Sequence, residues 1–128
     1  MKTKLEVQVV QLTKALARLE EALALPSTQI NNDATIQRFE FSFELSWKIL
    51  QTVGQKENQD IFGPTQSIRV GAQMGLIDNP EQWLDFRDSR NLSTHLYDES
   101  SSIEVYESAK KFLPQAKELL EKVKNFLP

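Results

Sequence analysis

At 128 residues, with 40% hydrophobic and 26% charged side chains, the chain is long enough for one core and has the makeup of an ordinary water-soluble globular domain, residues 1–128. It has no cysteine, which excludes a disulfide framework and thiolate chemistry and fits a cytoplasmic protein. The net charge of -3 counts against a general nucleic-acid binder, because such proteins gain from counterion release by a basic excess.

Any RNA-directed activity therefore requires a local basic surface, or a partner that supplies one. Arg38, Arg69, Arg87 and Arg90 are the candidates, the first three equally readable as ordinary surface charge. The start is basic, but Gln8, Gln11, Thr13 and Lys14 interrupt any apolar signal core, and no apolar run approaches membrane-spanning length.

Only four glycines and five prolines interrupt long periodic stretches, which predicts helices. Leu5, Val9, Leu12, Leu16, Leu19 and Leu23 recur at alternating steps of four and three, a helical stripe that Pro26 must end. The first helix is expected over about Lys4 to Leu25. After a polar connection, Asn32 or Asp33 is placed to cap a second helix running to about Gly54. Ile36, Phe39, Phe43, Trp47 and Leu50 mark its main apolar face. Phe41 and Leu45 widen that face, as suits a helix packed on two sides. Glu44 and Lys48 are spaced for an i,i+4 ion pair.

The next turn has its expected tip at Asn58-Gln59-Asp60. Pro64 suits a first helical position, so a short helix is expected over Pro64 to Met74, with Gly75 as its left-handed C-terminal residue. Asp78-Asn79-Pro80-Glu81 is a clear helix start. The helix that follows buries Trp83, Leu84, Phe86 and Leu92. The last helix is capped from Ser100, Ser101 or Ser102 and places Ile103, Tyr106, Leu113, Leu120, Val123 and Leu127 on one face, with Ala109 and Ala116 between. Pro114 should kink it. The expected fold is all-α: an up-and-down bundle of four main helices plus one short one.

Chemistry-bearing residues concentrate in Arg90-Asn91-Leu92-Ser93-Thr94-His95-Leu96-Tyr97, which holds the only histidine. On a straight helix Arg90 and Tyr97 share a face. Asp88, Asn91 and His95 form a second polar stripe, and Arg90 and His95 stand about 140° apart. Either the helix ends before His95, or a second copy of the chain completes the site; we favour the second, with or without a bend. One histidine and no cysteine exclude ordinary zinc sites, although carboxylates could hold Mg²⁺. Gly71-Ala72-Gln73-Met74-Gly75 lacks the lysine and preceding strand of a phosphate loop. Ser93 is too near His95 in sequence for a triad. An imidazole and a guanidinium are nevertheless sufficient in kind for phosphodiester transfer on RNA, as proton carrier and oxyanion clamp.

Arg-x4-His followed by x-Tyr resembles the signature of HEPN domains from MNT–HEPN toxin–antitoxin modules. Arg38-Phe39-Glu40-Phe41-Ser42-Phe43-Glu44-Leu45-Ser46-Trp47-Lys48 resembles the second helix of the subgroup labelled nucleotidyltransferase substrate-binding proteins. Ala72-Gln73-Met74-Gly75-Leu76-Ile77 and Arg87-Asp88-Ser89-Arg90-Asn91-Leu92 fit the same subgroup, so the likeness covers nearly the whole chain. The resemblance implies a homodimeric, metal-independent ribonuclease toxin acting on RNA, tRNA being one target class. Arg90 and His95 would be catalytic and Asn91 the polar residue that follows the arginine; Asp88, by its place in the segment, reads as a structural partner for Arg90, Arg87 or His95 rather than as an acid catalyst. It also implies a partner nucleotidyltransferase that transfers AMP to Tyr97. The chain itself would hold no cofactor or metal, with ATP and Mg²⁺ belonging to that partner. The alternative is a non-catalytic substrate-binding or docking subunit of a minimal nucleotidyltransferase; a purely structural helical dimer is a third reading.

Overall fold

The computed structural model describes residues 1–57, 60–96 and 98–128; Asn58, Gln59 and Tyr97 lie outside the described residues. So the expected turn tip at Asn58-Gln59 and the expected AMP acceptor Tyr97 receive no structural account. The described residues form five α-helices and no strand: α1 (Lys4–Leu23), α2 (Gln29–Glu57), α3 (Gly63–Gln73), α4 (Pro80–Leu92) and α5 (Glu99–Val123). This is the expected bundle, with α3 as the short helix. The central helix is α2, which packs against all four others.

The helix starts follow from local hydrogen-bond chemistry. Thr3 Oγ1 accepts from the Glu6 amide at 3.2 Å and Glu6 Oε1 from the Thr3 amide at 3.0 Å, a reciprocal box that opens α1. Helix α2 begins earlier than Asn32 or Asp33 suggested. Thr28 Oγ1 accepts from the Asn31 amide and the Thr28 carbonyl from the Asn32 amide, so Asn32 is already helical. Nor does Gly54 end α2. A Cβ there would stand 2.9 Å from Ile61 Cδ1, so this glycine admits the returning chain rather than stopping the helix. Gly75 does take the left-handed conformation expected of it, with φ 76°. Asn79 Oδ1 accepts from the Gln82 amide at 3.1 Å, with Pro80 and Glu81 in the first turn of α4, as its sequence dictates.

Helix α5 is capped by Asp98 rather than by one of the three serines. The Asp98 carboxylate accepts from the Ser101 amide at 2.7 Å and from Ser100 Oγ at 3.0 Å. The Ser101 amide bond holds the carboxyl below its usual range. A depressed folded-state pKa gives stability that is present above the ordinary carboxylate range and lost as pH falls through the folded value. Amide exchange at Ser101 is therefore expected to accelerate, relative to mid-α5 amides, as the solution is taken below the ordinary Asp range. Asp98→Asn should remove most of that pH dependence.

The core is one cluster drawn from all five helices. Its aromatic centre comprises Phe39 and Phe43 of α2, Trp83 and Phe86 of α4, and Phe112 of α5, each at most 2% exposed. The α5 face differs from expectation. Val105, Ala109, Phe112, Ala116, Leu119, Leu120 and Val123 are buried, whereas Ile103 is 52% exposed and Tyr106 and Leu113 are half-buried. Two stripes of three-and-four spacing share Ala109, Ala116, Leu120 and Val123, and the packing selects the one that carries Phe112. On α2, which packs on more than one side as expected, Leu45 is partly buried against the core but Phe41 is 54% exposed. Among the described residues no helix is long and apolar enough to cross a membrane.

Candidate functional site

Arg90 follows Trp83 by seven residues, two helical turns, and so continues the face by which α4 enters the core. That face ends in a guanidinium, and its register brings Arg90 against α2. There Arg90 Nη1 lies 3.6 Å from Glu40 Oε2 and Nε lies 3.3 Å from Glu44 Oε1, with the arginine side chain 24% exposed. The Nε is sealed from solvent and not aligned for a hydrogen bond, so this contact is an ion pair only. Glu44 is itself fixed by Trp47 Nε1, which donates to its Oε2 at 3.0 Å. The expected Glu44–Lys48 pair is not formed; Lys48 Nζ instead lies over the Trp47 ring, 5.8 Å from its centroid.

Two carboxylates thus face one guanidinium. They fix its orientation and leave the immediate site with a formal excess of one negative charge. No side-chain hydrogen bond from Arg90 is formed among the described residues, so the guanidinium is held by ion pairing. Glu40 was not singled out in the sequence, and Glu44 only as a partner for Lys48. Their spacing of four on the flank of an aromatic helix was the available signal, but nothing local says that an arginine 46 to 50 residues later comes to rest there.

The α-helix stops at Leu92 and a single 3-10 turn, Ser93–His95, follows. Ser93 Oγ donates to the Arg90 carbonyl at 2.6 Å and Thr94 Oγ1 to the Asn91 carbonyl at 2.9 Å, capping the last carbonyls of α4. The α-helix thus ends before His95, the first of the two geometries open in sequence. His95 is exposed on the turn, and Asn91 is exposed on the helix. Asp88 pairs with its neighbour Arg87, Nη2 to Oδ1 at 2.8 Å, and not with Arg90; Arg87 Nη1 also donates to Thr65 Oγ1 at 2.9 Å. Arg87 and Arg90 are therefore both paired with acids, so neither adds net positive charge to the surface. Among the described residues no group of three or more His, Cys, Asp or Glu side chains is gathered as a metal site.

Two grooves border this segment. One, of about 600 Å³, lies between α4 and α5, with Ser89 and Ser108 hydroxyls 2.6 Å apart and Asp85, Asp88, Glu104 and Glu107 along it. The other, of about 650 Å³, meets Leu96 and Asp98 beside the α1–α2 connection and carries Asp33 and Glu99. In both grooves the charged side chains are predominantly acids.

An all-α bundle with an Arg-x4-His segment closing its fourth helix has the HEPN-like architecture. Residues 7–125 match the family described as nucleotidyltransferase substrate binding protein like, and the chain belongs to that family. A Haemophilus influenzae Rd protein named probable ribonuclease HepT is 34% identical over 95 residues. That match covers 70% of this chain and 65% of the relative, so the chain spans just under two thirds of that protein. A crystal structure from Thermus thermophilus superimposes with a TM-score of 0.78 at 29% identity, over 88% of this chain and 98% of that one. A second, from Haemophilus influenzae, is described as revealing the fold of a substrate-binding domain of a nucleotidyltransferase. It gives a TM-score of 0.71 at 26% identity, over 94% of this chain and 96% of that one.

Proposed function

We propose that this protein is a metal-independent endoribonuclease toxin of a two-protein module, acting as a homodimer and silenced by a cognate nucleotidyltransferase. The observation that carries the reading is Arg90, oriented by Glu40 and Glu44 at the end of α4, with an exposed His95 on the turn immediately after it. The relative named probable ribonuclease HepT supports it.

In this reading the neutral imidazole of His95 removes the proton from a ribose 2′-hydroxyl. The 2′-oxygen attacks the adjacent phosphorus, and the bond to the 5′-oxygen breaks as that oxygen takes a proton from a protonated imidazole. The products are a 2′,3′-cyclic phosphate and a 5′-hydroxyl. Arg90 holds the non-bridging oxygens as charge builds on them. Two chains facing across a seam would bring two imidazoles and two guanidinia to one phosphate, base and acid from different copies. Asn91, exposed one residue on from Arg90, would contact the RNA, and Asp88 acts only by holding Arg87. An AMP group placed on Tyr97 by the partner, from ATP and Mg²⁺ that the partner binds, would set a phosphate beside this site and exclude the RNA.

Purified protein should cleave RNA, tRNA included, in EDTA, leave 2′,3′-cyclic phosphate ends and spare a DNA strand of the same sequence. Intact RNA after prolonged incubation would refute the nuclease reading. It would favour the second one, a docking subunit for a nucleotidyltransferase, which the Haemophilus structural neighbour supports. Co-expression with that enzyme should add one or more AMP masses to the peptide containing Tyr97.

Glu40 and Glu44 act as positioning residues in this scheme. Glu40→Gln with Glu44→Gln should lower the maximal cleavage rate by about tenfold or more, because the guanidinium loses its fixed orientation. Stability should fall by no more than about 1 kcal/mol, as for other part-exposed pairs. A rate equal to wild type in the double variant would show that the carboxylates do not set Arg90.

A further inference from the structure

A second charged surface lies where α1 packs on α2. Lys4, Val7, Gln11, Lys14 and Arg18 recur at steps of three and four along α1, and all are exposed. On α2 the neighbouring ridge carries Gln37, Phe41 and Lys48, all exposed, with Glu44 among them. The two helices meet where Arg38 Nη1 donates to the Arg18 carbonyl at 2.7 Å, and Ala15, Arg18, Arg38 and Phe41 line one shallow depression there.

Charge on this seam is predominantly positive. Lys4, Lys14, Arg18, Arg38 and Lys48 make no ion pair among the described residues. Glu44, the one acid on the α2 ridge, is turned to Arg90 and Trp47, and Glu21 follows only after the cationic stripe has ended. In a chain of net charge -3, unneutralised lysines and arginines beside a half-exposed phenylalanine suit an anionic occupant. From Lys4 to Arg18 the stripe runs about 21 Å, enough for three or four phosphates of an extended strand.

The geometry points to the α1–α2 seam as the track for a single-stranded RNA backbone: Lys14, Arg18, Arg38 and Lys48 take its phosphates and Phe41 stacks a base. This inference rests on the ribonuclease reading and deepens it. Phe41 is three residues from Glu44 on the same ridge, and Glu44 holds Arg90, so the track leads towards the proposed chemistry along one helix. The acids of both grooves repel a polyanion, whereas the unpaired cations of the seam attract one. Aromatic stacking combined with a row of cations binds single strands without regard to sequence.

The test is fluorescence anisotropy of the full chain with a labelled, fully 2′-O-methylated oligouridylate of about twelve nucleotides, which cannot be cut through its 2′-oxygen. Affinity should fall as salt rises, with a logarithmic slope of about -0.7 per phosphate contacted. Lys14→Ala with Arg18→Ala should weaken binding about tenfold and shallow the slope by about 1.4. Phe41→Ala should weaken it about fivefold or more. Lys110→Ala with Lys111→Ala, on α5, should leave both unchanged. Circular dichroism melts show whether each variant is folded.

Binding and salt slope unaltered by Lys14→Ala with Arg18→Ala would overturn the track, as would absence of any salt-dependent RNA binding by the wild type. The latter result would leave the seam to an acidic protein surface. RNA binding that is lost in the α1 variant, together with no cleavage by the wild type, would uphold the track while removing the nuclease reading. Cleavage and binding both unchanged by the α1 variant would do the reverse.

Discussion

His95→Ala should lower RNA cleavage by about 10²–10⁴-fold, the usual range for losing a positioned proton carrier. The fold should be untouched, because His95 is exposed on a 3-10 turn that the Ser93 and Thr94 hydroxyls tie to the end of α4. An unaltered thermal melt with lost cleavage is thus the expected signature. Arg90→Ala should cost a similar activity, about 10²–10³-fold, but with a different stability readout. Removing the guanidinium leaves Glu40 and Glu44 facing one another with no cation, so the melt should fall as well. Arg90→Lys separates the two effects. It keeps the charge between the carboxylates and so most of the stability, but a point ammonium cannot clamp two phosphate oxygens in a plane, so cleavage should stay low. Full cleavage by His95→Ala in a folded protein would end the catalytic assignment.

The largest stability effect is expected at Phe112. Its ring meets Phe39 at 5.3 Å, Phe86 at 5.4 Å, Trp83 at 5.6 Å and Phe43 at 6.2 Å between centroids, mostly edge to face. It joins α5 to the aromatic rings of both α2 and α4, and it is fully buried. Phe112→Ala should therefore destabilise the protein by about 3–5 kcal/mol, measured by urea denaturation. Leu113→Ala, on the half-buried neighbour, should cost markedly less. Because these rings seat α4 against α2, loss of Phe112 should also loosen Arg90 from Glu40 and Glu44 and lower activity before the chain unfolds. Equal destabilisation by the two substitutions would contradict the observed α5 register.

The contrast between Phe112 and Leu113 shows where sequence reasoning stops. Helix number, order and most boundaries were legible, because they depend on local chemistry: Thr3 with Glu6, Asn79 before Pro80, Gly75 after α3 and the leucine stripe of α1 each act within a turn or two. The face that α5 turns inward was not. Two overlapping stripes are equally apolar, and only the positions of α2 and α4 decide between them. Phe41 is the same case: an apolar residue on α2 whose burial depends on neighbours the stripe cannot name.

For the site, the amino-acid order alone picks out Arg90, Asn91, His95 and Tyr97, since a lone histidine in a spaced polar segment and the family resemblance are both properties of the linear chain. It also supplies the helical bundle. Folding in three dimensions decided what Arg90 meets: Glu40 and Glu44 rather than Asp88, with Lys48 over Trp47 instead of paired to Glu44. It also brought cations of α1 and α2 together, where Arg38 Nη1 donates to the Arg18 carbonyl. The physical reason is range. Caps, turns and periodicity act over four residues, whereas ion pairs and surface fields join groups tens of residues apart, and their partners exist only once the helices have packed.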